Sequence, residues 1–232
     1  VRIWAIGDLH LGFGVDKPMD IFGPEWKDHA TVIRANWEAR VAAEDTVLVA
    51  GDVSWGLRLA EAQPDLEFVG RLPGTKILIK GNHDPWWSTR SKVEAVLPEG
   101  MWLLQGDARR IGEAVAVTGT RGWSLPGAPD FDPESDEKIL NREVGRLERG
   151  LEALDRLKPD RRLVMLHYPP LWCDSVDTPF TRLLSSAGVD VCVYGHLHGK
   201  DLAIAFEGEH DGVRYHLVSA DHLRFKPLEV CP

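Results

Sequence analysis

The chain has few cysteines, no long apolar run and no excess of positive charge. Cys173, Cys192 and Cys231 are its three cysteines, and no two of them form a CxxC pair. So sparse and odd a count builds no disulfide framework and points to a reducing compartment. Cys192, inside the apolar run "VDVCVYG", reads as a small core residue. No stretch approaches the roughly 18 apolar residues of a membrane span. A strand-like segment, Arg2 to Ile6, begins at once, and no signal peptide is expected. The expected location is therefore cytoplasmic, with no membrane partner. With 27 Lys and Arg against 36 Asp and Glu, the formal net charge is −9. Non-specific nucleic-acid binding, which needs a broad basic surface, is not expected. Internal repeats and low-complexity segments are also lacking.

What is present suits a globular α/β chain. At 232 residues and 44% hydrophobic composition it can bury a full core, and one domain over residues 1–232 is expected. Five apolar runs share a shape: "RIWAIGD", "TVLVAGD", "KILIKGNHD", "RLVMLHY" and "VDVCVYGHLH". Each is a short Val/Ile/Leu-rich strand of the kind buried on both faces. Helical periodicity separates them. Trp26, Ala30, Ile33, Trp37 and Val41 share one face, and Leu140, Val144, Leu147, Leu151 and Leu154 make a longer stripe. Ser88 is a candidate cap for a helix running to about Leu97. Trp102 to Gly119 reads as short strands joined by tight turns, and Asp211-Gly212 as the turn of a terminal hairpin. Two sheets packed together with helices outside is the expected architecture.

Chemistry collects at the strand ends, where ligands bind in open α/β sheets. The five tails are Asp8 and His10; Asp52; Asn82, His83 and Asp84; His167; and His196 and His198. One strand-end histidine usually has a structural reason. Five tails of nitrogen and oxygen donors do not, because packing does not call repeatedly for imidazole. Such donors without thiolate suit Mn, Fe or Zn. Two Asp carry −2 and two divalent ions would bring +4, a balance that favours an anion such as a phosphate ester. A carboxylate such as Asp52 can bridge two metals about 3.5–4 Å apart.

The motifs "GDLH", Gly51-Asp52, "GNHD", "HYPP" and "GHLH" resemble, in order and roles, those of calcineurin-like metallophosphoesterases. More loosely, "GDVSWG" and "KGNHDPWW" resemble a small bacterial group of predicted phosphohydrolases. The resemblance runs from Asp8 to His198. It implies a four-layer α/β/β/α sandwich of two mixed sheets, and a dinuclear metal centre whose bound hydroxide attacks phosphorus. It also implies that Asp8, His10, Asp52 and His198 hold one metal, while Asp52 bridges to a second completed by Asn82, His167 and His196. His83 would protonate the leaving oxygen, with Asp84 fixing its ring. The substrate would be a phosphomonoester or phosphodiester, small or nucleotide-like. Where protein phosphatases of the superfamily carry an acid and an arginine after the bridging aspartate, this chain reads Asp52-Val53-Ser54-Trp55-Gly56. Their "GNHE" is "GNHD" here. Both departures point away from protein phosphoserine. A non-catalytic scaffold on the same fold is the alternative, but such a protein is expected to lose ligands, and every position is intact.

Other residues have plainer readings. Arg121 is a candidate phosphate grip, although a surface position is expected for it. Residues 121–136, rich in Pro, Gly and Asp, read as a long surface loop, a candidate lid. Trp4, Trp37 and Trp102 read as core, while Trp55, Trp86 and Trp87 follow ligand motifs and fit either a pocket edge or packing. His29 reads as a partly exposed helix residue, and His210, His216 and His222 as surface or hydrogen-bonding groups.

Overall fold

The computed structural model describes residues 1–128 and 131–231. The elements of the first half are β1 (Ile3–Ile6), α1 (His29–Glu38), β2 (Thr46–Val49), α2 (Leu59–Arg71), β3 (Thr75–Leu78), α3 (Arg90–Glu94) and β4 (Met101–Leu103). There follow β5 (Ala108–Ile111), β6 (Val115–Thr120), α4 (Pro133–Leu157), β7 (Arg161–Leu166) and α5 (Pro179–Ser186). The chain closes with β8 (Val191–Tyr194), β9 (Gly208–His210), β10 (Val213–Leu217) and β11 (Leu228–Cys231). They make an α/β fold with two mixed sheets and flanking helices. Two compact units emerge, Val1–Leu103 with Val218–Pro232, and Leu104–Leu217. Among the described residues no helix is long and apolar enough to cross a membrane.

The first unit carries a five-stranded sheet in the order β11-β1-β2-β3-β4. Strands β1 to β4 run parallel, and β11 closes the edge antiparallel to β1. "IWAI" and "TVLV" are buried at every position, as expected of strands covered on both faces. Ile33 and Trp37 of α1 enter the core, as does the Ala62, Leu66 and Val69 face of α2. The second unit carries six strands in the order β5-β6-β7-β8-β10-β9. Its long helix α4 begins where Pro133 takes the first position and the Asp132 carboxylate accepts the Glu134 N–H at 3.1 Å. Leu140, Leu147, Leu151 and Leu154 form its buried stripe. Gly150 lets α4 lie against β6, since a Cβ there would stand 2.3 Å from Thr118 Oγ1.

Some expectations need correction. β4 pairs parallel with β3, so only β5 and β6 form a hairpin in the middle segment. Trp102 is 44% exposed because strand alternation turns Met101 and Leu103 inward instead. The helix expected after Ser88 is short, with Thr89 at its N-cap. It ends at Glu94, and the residue before Pro98 is biased away from helical backbone. The expected loop 121–136 yields its last four residues to α4, while Leu125 is buried and Trp123 donates to Asp136 at 3.0 Å. Residues 129 and 130 of that segment lie outside the described residues.

Lys76 of β3 is buried, its ammonium donating to the carbonyls of Leu72 and Gly70 at the end of α2. Burial lowers its pKa from 10.5 to about 8. Below pH 8 both folded and unfolded chains hold this proton. Between pH 8 and 10.5 the unfolded chain holds more, so this residue's contribution to stability rises with pH. The urea midpoint of the wild type, compared with that of Lys76→Met, should rise across that window. A difference that stays flat or falls contradicts the assignment.

Candidate metal centre

In the first unit, the backbone beyond β1 and β2 stays paired after the regular strands end. Asp8 N–H donates to Gly51 O at 2.9 Å, His10 N–H to Asp52 O at 3.0 Å, and Leu11 N–H to Val53 O at 3.0 Å. Leu9 and Leu11 enter the core. The Asp8 and Asp52 carboxylates are buried, and His10 Nε2 lies 3.9 Å from Asp52 Oδ2. Asp8, His10 and Asp52 all adopt left-handed backbone, at φ 55°, 45° and 51°. That region is disfavoured for residues with a Cβ.

The Gly81–Asp84 stretch meets Asp52 from the end of β3. A Cβ on Gly81 would fall 2.0 Å from Asp52 Oδ1, so glycine is required by close approach. Asn82 and His83 then turn, and the His83 N–H donates to Asp52 Oδ1 at 2.7 Å. The Asp84 carboxylate is fully buried. It accepts the backbone N–H groups of Asp52 (2.8 Å), Val53 (3.0 Å), Ser54 (3.3 Å) and Gly81 (2.8 Å), and the Trp86 indole N–H (2.9 Å). Asp84 thus joins the loop that follows β2 to the turn that carries His83. Nothing in the sequence around Asp84 signals this role, because most of its partners lie about 30 residues away.

One further residue, Asp65, escaped sequence reading. Asp65 of α2 accepts the Phe13 N–H at 2.8 Å and the Ser54 hydroxyl, tying the loops after β1 and β2 to one buried helix position. Burial raises its pKa, against the hydrogen bonds. His29 reaches the His10 carbonyl at 3.2 Å and the Trp26 carbonyl at 3.1 Å, and burial lowers its pKa despite these bonds. It is a partly exposed helix residue, as expected, and both ring nitrogens reach backbone carbonyls. Trp86 and Trp87 are buried, whereas Trp55 stacks on His10 at 4.7 Å between ring centroids.

In the second unit, His167 follows β7, and its N–H and that of Tyr168 both donate to Arg121 O, at 3.0 and 2.9 Å. The His167 carbonyl accepts the Gly195 N–H at 3.1 Å, beside His196 at φ 75°. The rings of His167 and His196 stand 5.1 Å apart, edge to face. His198 is half-buried at the start of a short 3₁₀ helix, Gly199–Ile204. Arg121 is not the surface residue expected from sequence. Its guanidinium lies 4.3 Å over Trp123 and 3.8 Å from buried Glu143, whose carboxylate also meets Arg146. Burial lowers its pKa, opposed by Glu143.

The donors are imidazole, carboxylate and amide, a set that fits Mn, Fe or Zn without thiolate. The sequence model of calcineurin-like phosphoesterases matches residues 1–200. The chain belongs to the calcineurin-like phosphoesterase family. Within curated relatives, the acyl-carrier-protein phosphodiesterase PptH of Mycobacterium tuberculosis is 24% identical over 96% of this chain and 78% of its own length. The gene 66 protein of Mycobacterium phage D29 is 37% identical over 84 residues, 36% of this chain. The chain spans about 40% of that phage protein and 39% of the equivalent from phage L5. In solved structures, phosphopantetheinyl hydrolase PptH matches with a TM-score of 0.53 and 22% identity, over 94% of this chain and 88% of that one. A protein of unknown function from Aquifex aeolicus matches with a TM-score of 0.50 and 16% identity, over 98% and 94% of the two chains. These likenesses establish the calcineurin-like fold.

The Asp84 network yields a direct test. Asp84→Asn sets amide hydrogens against N–H donors that now share a carboxylate. Urea unfolding should show a loss of at least about 3 kcal/mol, as for other buried charged acceptors. A loss below about 1 kcal/mol would show that the network does not hold these loops.

Proposed function

We propose that the chain is a metal-dependent phosphoric-ester hydrolase. Asp8, His10, Asp52 and His198 would hold one metal ion, and Asp52, Asn82, His167 and His196 would hold a second. The observation that carries this reading is backbone strain. Of nine non-glycine residues in left-handed backbone among those described, four are Asp8, His10, Asp52 and His196. Such conformations cost about 1–3 kcal/mol each and concentrate at functional sites, where surrounding structure enforces them. Bound metal ions supply positive charge to phosphoryl oxygens and make water a competent nucleophile near neutral pH.

The chain's own residues do the rest. His83 is exposed on a turn anchored through its N–H to Asp52, so its ring can meet the leaving oxygen and give it a proton. Asp84 fixes that turn from below and with it the direction of the His83 ring. Arg121, pre-set by Glu143 and Trp123, offers a guanidinium to a non-bridging oxygen. A diester is the favoured substrate class, because the mycobacterial relative is named for phosphodiesterase activity. Acyl carrier protein bearing phosphopantetheine accordingly belongs in the first substrate panel, beside generic monoesters and diesters.

His83→Ala should keep its metal content while kcat falls about 10²–10⁴-fold on esters with alkyl leaving groups. The loss should shrink on nitrophenyl esters, whose leaving oxygen hardly needs a proton. Loss of metal, or equal slowing of both ester types, would remove His83 from the proton-donor role.

A further inference from the structure

Beside His83 the first unit opens a cleft of about 650 Å³, lined by Lys17, Phe22, Trp55, Leu57 and Asn82 among others. That volume suits a nucleoside-sized group. Trp55 is its fixed wall. The indole N–H points to Met19 Sδ at 2.9 Å, one face stacks on His10, and the ring stands 4.6 Å from His83. Phe22 and Lys17 also approach the Trp55 ring. The Phe22 ring lies 6.4 Å away and within 10° of parallel, and the Lys17 ammonium sits 3.5 Å from the Trp55 centroid. A flat ring inserted between two others needs about 7 Å, twice the contact distance of carbon atoms, so the exposed Phe22 ring has to move outward by roughly half an ångström or more to admit one. Phe22 and Leu57 are exposed, at 56% and 72%, an apolar lining that structure-building does not require.

We propose that the notch between Trp55 and Phe22 is the subsite for a flat aromatic arm of the ester, of the kind a nucleoside carries, on the leaving-group side of phosphorus. The inference rests on the assignment of His83 as proton donor, which places the leaving arm beside it. The arm's ring takes the space above Trp55, and Lys17, on a flexible exposed stem, moves to its edge. The parallel faces select flatness, since an extended aliphatic arm would use only part of either ring. A cationic arm meets Lys17 in its place. Glu61 does not offset that charge freely, because its carboxylate already accepts the Leu57 and Arg58 N–H groups at 2.8 and 3.1 Å.

Calorimetric titration of the metal-loaded protein with the 5′-methylenephosphonates of adenosine and of ribose, whose C–P bond resists hydrolysis, tests this. The adenosine compound should bind about tenfold more tightly, within the range that stacking a base on aromatic side chains contributes. Phe22→Ala should abolish that advantage and leave the ribose compound unchanged, while Phe22→Tyr, which keeps the ring, should retain it. Equal binding of the two ligands overturns the subsite, as does an advantage that survives Phe22→Ala. So does equal binding of a pantetheine or choline phosphonate. Because the titration reads binding, failure to hydrolyse any ester would count against the hydrolase reading alone. Loss of the adenine preference in an active enzyme would count against the subsite alone.

Discussion

The placement of the Asp52 carboxylate against the backbone of Gly81 and His83 is the constraint on which the first unit's functional loops depend. Asp52 leaves β2 in left-handed backbone, and its Oδ1 accepts the His83 N–H. No side chain fits at position 81 while that carboxylate stays in place. The close approach links the ends of β2 and β3, and the His10 N–H bond to the Asp52 carbonyl adds the end of β1. Three strand ends therefore share one acid. Asp84 locks the arrangement from the buried side, and Asp65 does so from α2.

This organisation explains why strain is tolerated at Asp8, His10 and Asp52. Each residue is fixed by backbone bonds on both strands and by a hydrophobic neighbour, Leu9 or Val53, driven into the core. Burial of those neighbours is favourable enough to offset about 1–3 kcal/mol of local strain apiece. In the second unit the same logic applies on a smaller scale. Gly195 and Arg121 bracket His167 through backbone bonds, and His196 packs on Tyr168 at 4.2 Å in left-handed backbone. Rigidity here is the property a ligand set needs.

Sequence reading reached the strands and the donors at their ends, because fully buried parallel strands leave unbroken Val/Ile/Leu runs and interrupt them abruptly with polar groups. It reached the stripe of α4 for the same reason of periodicity. α2 went unread: charged residues and Pro64 interrupt "LAEAQPDLEFVGR", although Ala62, Leu66 and Val69 keep helical spacing. Trp102 misled because composition does not say which side of a strand faces inward. Arg121 looked like a surface residue because its partner, Glu143, lies about three turns into α4. Trp55 showed its proximity to a motif but not its stack on His10. Partners distant in sequence are set by topology, and local pattern carries no record of them.

The central claim is that Asp52 is shared by two metal ions. Elemental analysis of carefully reconstituted wild-type protein, combined with titration of metal into Asp52→Asn, tests it most directly. The account predicts two metals per wild-type chain and a simultaneous weakening of both sites in the variant, with the overall fold kept by circular dichroism. A firm stoichiometry of one at saturating metal, or an Asp52→Asn protein that retains one site at wild-type affinity, would contradict it.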